Sequence, residues 1–187
     1  EYGNLTAGNL TKLNLKHEFG KGEIESITAG NFNLDYVDEF SLANANELEL
    51  TAEFSKIDIR NIKTINFSID YGKLIIGTVS NYEGNSEFSR IGIDEVYDNF
   101  KLNAEYASGT IELKQLSKDI KSFQLDTEFS KSQINVEKGA NLSFESEHSF
   151  GKMNIEGSNV RFSKIIKDMT DEAFEGTIGD QADQIKT

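Results

Sequence analysis

Four residue types recur in a fixed order down this chain: an acid, an aromatic, a small residue and a base, as in Glu53-Phe54-Ser55-Lys56. Asp70-Tyr71-Gly72-Lys73, Glu87-Phe88-Ser89-Arg90 and Glu128-Phe129-Ser130-Lys131 repeat it. With the acid as reference, the copies sit at Glu1, Glu18, Glu39, Glu53, Asp70, Glu87, Glu105 and Glu128, spaced by 17, 21, 14, 17, 17, 18 and 23 residues. Asp35 in place of Glu39 gives 17 and 18 instead; Glu39 is preferred because Leu34 and Tyr36 then fall at apolar offsets. Degenerate copies follow at Ser149–Ile155 and Ala173–Gly179. A period of this length marks a repeat architecture, in which each copy buries its apolar face only against its neighbours.

Alternation assigns the faces. Leu48, Leu50, Ala52 and Phe54 take every second place with Glu49, Thr51 and Glu53 between them, the period of a half-buried strand. Leu13/Leu15/Phe19, Ile65/Phe67/Tyr71, Phe100/Leu102/Tyr106 and Phe123/Leu125/Phe129 repeat it. This places the acid in solvent and the aromatic in the core, as a ladder of Phe19, Phe40, Phe54, Tyr71, Phe88, Tyr106, Phe129 and Phe150. Alternation resumes out of phase at Ile57 and Ile59, so the small-basic pair is a corner, and Gly20, Ser55, Gly72, Ser89, Ser130 and Gly151 are residues a bend tolerates.

Two all-β architectures fit. In a β-solenoid, or parallel β-helix, each repeat is one rung and equal positions stack into columns; in an antiparallel meander each repeat is a hairpin. The Asn-Gly and Asp-Gly turns that hairpins favour never occur. The solenoid is preferred: about eight to ten rungs of 17–23 residues, a rod of roughly 40 to 50 Å at about 4.8 Å per rung. The whole chain, 1–187, reads as one repeat-built domain, with regular rungs over 1–160 and a degenerate capping segment over 161–187. There Ile165, Ile166, Met169 and Ala173 fall at helical intervals behind Ser163, with Gly176 as a stop, predicting a short helix over the open end and a fraying polar tail after it. Lys21, Lys56, Lys73, Arg90, Lys131 and Lys152 are expected to form a cationic column round the corner from the acids.

Composition narrows the partners. Mean hydropathy is −0.47, but 13 Phe and 6 Tyr give the chain a core to build. Average usage would give about nine Pro; the chain has none, as hydrogen-bonded strands require. A net charge of −13 repels nucleic acid and anionic membrane surfaces. No apolar run is long enough to span a membrane, and without Cys there are neither disulfides nor thiolate metal sites. Glu1 follows no visible leader, so a trimmed or processed product is expected.

No catalytic, cofactor-binding or metal-binding residue is assigned. The imidazoles, His17 and His148, both fall at inward positions many rungs apart and read as structural. Stacked carboxylates reach glycosidase separations by geometry alone, so their spacing identifies no acid–nucleophile pair. Neither an EF-hand loop nor a calcium-binding nonapeptide occurs, and the turns at Gly20 and Glu175 lack the Lys-Ser/Thr ending of a phosphate loop. Asn-x-Ser/Thr triplets at Asn4, Asn9, Asn66 and Asn141 read as polar strand positions.

The recurrent E-[FY]-[GS]-[KR]-x-x-I rung, with Phe174-Glu-Gly-Thr-Ile-Gly179, resembles the bacterial adhesins built as solenoids of short β-rungs, among them the head-domain auto-transporter adhesin group of Gram-negative envelopes. That resemblance covers most of the chain. It implies an exported, non-enzymatic protein of the periplasm, outer membrane or cell surface, with a cell-surface glycan or protein as ligand. A monomer is expected. A polysaccharide-binding or polysaccharide-cleaving β-helix and a self-assembling scaffold are the alternatives.

Overall fold

The computed structural model describes residues 3–157 and 160–179; the first repeat acid, Glu1, and the polar tail from Asp180 lie outside them. The chain is all-β, 83% strand with no helix among the described residues, coiled into a β-solenoid of about six turns. Strand β1 (Gly3–Glu53) runs unbroken through the first turns, and β2 (Lys56–Asp70), β3 (Lys73–Glu87) and β4 (Arg90–Glu105) make one turn each. All pair in parallel with their predecessors, so that Phe40, Ile57, Leu74 and Ile91 form one column and Leu50, Phe67, Gly84 and Leu102 another. Parallel in-register stacking rules out the hairpin meander for these turns.

One turn shows how the sequence produces the coil. In β2, Ile57, Ile59, Ile62, Ile65, Phe67 and Ile69 are buried, while Lys56, Asp58, Arg60 and Lys63 face water. Spacings of two keep the chain straight; the spacings of three around Ile62 turn it and keep the next side chain inward. Later turns are longer, and each divides into two strands: β5 (Thr110–Leu116) with β6 (Ser122–Glu128), and β7 (Lys131–Val136) with β8 (Leu142–Ser149). The added residues make two equivalent four-residue turns, closed by Ile120 N–H to Ser117 O at 3.1 Å and Ala140 N–H to Glu137 O at 3.2 Å. Strand β9 (Lys152–Glu156) then pairs with β7.

The aromatic column inside the coil is not the expected one. Tyr82 stacks on Phe100 at 5.0 Å and Phe100 on Phe123 at 5.1 Å, all three buried. Gly84 belongs to this packing, since a Cβ there would lie 2.3 Å from the ring of Phe67. The expected ladder instead runs along the outside of the corner: Phe54 is 45% exposed and Tyr71 53%, with Phe88, Tyr106, Phe129 and Phe150 similar and Phe19 half-buried. Phe40 does not belong to it. Phe40 is a buried core residue, and Tyr36 stands in the corner column instead, which makes Asp35 the repeat acid of that turn.

The physical reason is backbone conformation. Phe19, Tyr36, Phe54, Tyr71, Phe88, Tyr106, Phe129 and Phe150 all have φ between 46° and 60°. A left-handed residue swings its side chain out of the strand alternation, so acid and aromatic both point outward and the small residue after them points in. The phase break lies one residue earlier than the small-basic pair.

The C-terminal segment is a correction as well. Over the predicted helix lie β10 (Val160–Lys167) and β11 (Asp171–Ile178), an antiparallel hairpin whose β11 pairs antiparallel with β8. Asp168 N–H donates to Asp171 O at 2.9 Å and closes the turn. β-Branched Ile165 and Ile166 suit a strand. The free edge of β8 offers a ladder of backbone partners, whereas a helix this short is marginal in water. The degenerate copy at Ala173–Gly179 is therefore no rung, which helps to explain about six turns instead of eight to ten.

Candidate functional site

The outer corner is the most regular surface of the protein. Each of its rings sits on a residue type that pays about 1–2 kcal/mol for a left-handed backbone. Stacking opposes that cost: seven successive contacts join the eight rings from Phe19 to Phe150, with centroids 4.6–5.4 Å apart and interplanar angles of 4–12°. Beneath the rings, Ser55, Ser89 and Ser130 are buried and donate to the carbonyls of Glu53 (2.7 Å), Glu87 (2.7 Å) and Glu128 (2.8 Å). Each also accepts an amide hydrogen from the turn before it.

Charged columns flank the rings. Glu53, Asp70, Glu87, Glu105 and Glu128 are in register on one side, ending at Ser149. On the other, Lys56, Lys73 and Arg90 pair in succession, as do Thr110, Lys131 and Lys152. Glu39 precedes Phe40, the partner of Ile57, and so falls in the cationic column next to Lys56. It accepts a hydrogen bond from Lys21 at 2.8 Å, and that bond, followed by the charges of Lys21 and Lys56, lowers its carboxyl below the usual range. Further ion pairs link adjacent turns: Lys101–Glu83 at 3.0 Å, Lys114–Asp94 at 2.6 Å and Lys121–Asp98 at 2.6 Å. Asn61 Nδ2 donates to Asn44 Oδ1 at 3.0 Å, and Asn99 to Asn81 at 2.7 Å, continuing the same turn-to-turn logic with amides.

The two imidazoles lie one at each end. His148, 1% exposed, accepts or donates between Thr127 Oγ1 at 2.5 Å and Ser146 Oγ at 2.6 Å, and Ser146 is also bonded to Leu125 O at 2.7 Å. Burial pushes its ionisation down to about 4, against the pull of Glu172 and Asp126. These contacts satisfy the buried polar groups of Thr127, Ser146 and His148 in the last turn. His17, half-buried, has a shielded Nε2 without a partner. Among the described residues no group of three His, Asp or Glu is placed to hold a metal ion. A groove of about 610 Å³ runs over Lys101, Gln124, Glu145, Glu175 and Gly176 and is open to solvent. Among the described residues no helix is long and apolar enough to cross a membrane.

This arrangement restricts what the corner can recognise. Ring faces are covered by the neighbouring rings, so sugar rings cannot stack on them along the column; edges, acids, bases and amides are what the surface offers. The fold and these columns define a β-solenoid. No family model matches the chain, and neither a curated protein nor a solved structure matches it.

Proposed function

We propose that this chain is a non-enzymatic structural module of an exported bacterial envelope protein, related in role to the solenoid adhesins its repeat resembles, that holds a cell-surface glycan or protein on its long faces. The carrying observation is the set of outward columns at one spacing per turn, the aromatic one unbroken from Phe19 to Phe150 and flanked by acids and bases. Multivalent contact along such a face gathers many weak polar interactions into one attachment. A glycan would meet the amide and carboxylate columns rather than the rings.

A glycan array probed with the protein, run beside a reducing-sugar release assay and fractionation of the producing cells, tests this reading. Binding without release, in cells that carry the protein in the envelope, supports it. Bond cleavage that a single change such as Glu87→Gln abolishes would establish the polysaccharide-cleaving alternative instead.

A further inference from the structure

The six corner rings from Phe54 to Phe150 are 40–56% exposed, whereas the inner rings Tyr82, Phe100 and Phe123 are buried. They form one apolar strip about 24 Å long, five strand spacings of about 4.8 Å. An exposed apolar patch of this extent, rimmed by charge, marks an interaction surface.

The charges on its rim are unpaired. Lys21, Lys101, Lys114 and Lys121 each hold a carboxylate of a neighbouring turn. Among the described residues, no side-chain hydrogen bond or ion pair is made by the five column acids from Glu53 to Glu128, nor by Lys56, Lys73, Arg90, Lys131 and Lys152. The rings stand between acids and bases and keep them apart. Within each column, like charges lie one strand spacing from each other and repel.

Two such corners can meet face to face in two ways. With the solenoid axes antiparallel, acids face acids and bases face bases. With the axes parallel, a two-fold axis along them brings the acids of one copy level with the bases of the other, and the ring edges meet between them. The turns of Phe54, Tyr71, Phe88 and Phe129 each carry an acid before the ring and a base after it, so each supplies two ion pairs across the contact. The match is partial at Tyr106, where Thr110 replaces the base, and at Phe150, where Ser149 replaces the acid. It ends upstream, because Tyr36 stands between Asp35 and Asp38.

We propose that the corner from Phe54 to Phe150 is an isologous interface on which a second copy of this chain docks with its axis parallel. An acidic or a basic ligand would neutralise one column; a second copy neutralises both and covers the rings. This differs from the monomer that the repeat alone leads one to expect, and it depends neither on glycan binding nor on where the protein resides. So narrow a strip belongs to the small, transient class of interfaces, and the pair is expected at high protein concentration.

Sedimentation equilibrium of the full chain over rising concentration tests this at low and high salt. Dimers that weaken as salt is added are expected. Reversing three acids (Glu53→Lys, Asp70→Lys, Glu87→Lys) or three bases (Lys56→Glu, Lys73→Glu, Arg90→Glu), each variant shown to be folded by circular dichroism, should weaken self-association about tenfold or more, and an equimolar mixture of the two variants should restore it. A chain that stays monomeric at millimolar concentration in low salt, or that associates regardless of salt and of both reversals, overturns the proposal. Orientation is read on chains that keep the interface charges, spin-labelled singly at Thr51→Cys or Glu147→Cys, both exposed. Electron–electron double resonance should give similar distances in the two samples and a longer one when they are mixed; a shorter one in the mixture means antiparallel copies and overturns the two-fold.

Discussion

Val37 donates its amide hydrogen to the hydroxyl of Ser55, 3.0 Å away in the next turn. Gly72 does the same to Ser89 at 2.8 Å and Ala107 to Ser130 at 2.9 Å. In each case the donor follows a tyrosine (Tyr36, Tyr71, Tyr106) and the serine follows a phenylalanine (Phe54, Phe88, Phe129). The structural unit is thus a pair of turns, 35 residues from one tyrosine to the next. One turn leaves a corner N–H inside the coil, and the following turn brings the hydroxyl that satisfies it.

Ser89→Ala strands the Gly72 N–H in a dry corner and is expected to cost about 1–3 kcal/mol. Ser132, buried but with an unpartnered hydroxyl, is the internal control, and Ser132→Ala should be neutral or mildly stabilising. Urea denaturation of the two variants checks this; equal losses would contradict the pairing.

The corner aromatics and the inner aromatics should respond differently to truncation. Phe100→Ala opens a cavity in the buried column and should cost about 3–5 kcal/mol. Phe88→Ala, at a half-exposed corner, should cost less. Because position 88 has φ 46°, Phe88→Gly relieves a conformational penalty that Phe88→Ala retains, of about 1–2 kcal/mol. The predicted order of melting temperatures is Phe88→Gly, then Phe88→Ala, then Phe100→Ala, read by thermal denaturation.

His148 makes the last turn acid-sensitive. Its ionisation falls from 6.5 to about 4 in the fold. Between those values the unfolded chain holds a proton that the native state does not, so this contribution is complete above pH 6.5 and lost as pH falls towards 4. The loss from pH 7 to 5 is about 2 kcal/mol. Unfolding free energies of the native chain and His148→Gln, measured at both pH values, should differ in their pH dependence by that amount; parallel curves would show that the imidazole is not buried neutral.

Glu39 interrupts a basic column between Lys21 and Lys56. Glu39→Lys makes the column continuously basic from Lys21 to Arg90, so the melting temperature should drop in low salt and recover as salt is added, since exposed charges are screened. A drop that salt leaves unchanged would assign Glu39 a packing role instead.

Much of this was legible in the residues. Leu48, Leu50, Ile57 and Ile59 gave their faces through plain alternation, and the columns of acids and bases followed from the repeat. The corner was not, because nothing in an aromatic side chain announces a left-handed backbone, a conformation associated with Gly and Asn. The one available cue was arithmetic: Ala52 and Ile57, both buried, lie an odd number of residues apart, so the phase had to break between them, and the burial of Ser55 places the break at Phe54. Glu39 imitates the repeat acid for a related reason: Leu34 and Tyr36 both fall at apolar offsets from it, yet Leu34 is core and Tyr36 is a corner ring. Hairpin and helix compete closely over Ile165–Ala173, and the unpaired edge of β8, a feature of the assembled coil alone, decides between them.

The account rests on parallel stacking, one strand spacing per repeat. As the chain has no Cys, paired spin labels at Lys56→Cys and Lys131→Cys, four turns apart in the basic column, measure it directly by electron–electron double resonance. Stacked turns predict a separation of about 19 Å, four spacings of about 4.8 Å. A meander with two strands per repeat would place the same labels about 38 Å apart, and that result would contradict the fold on which every other statement depends.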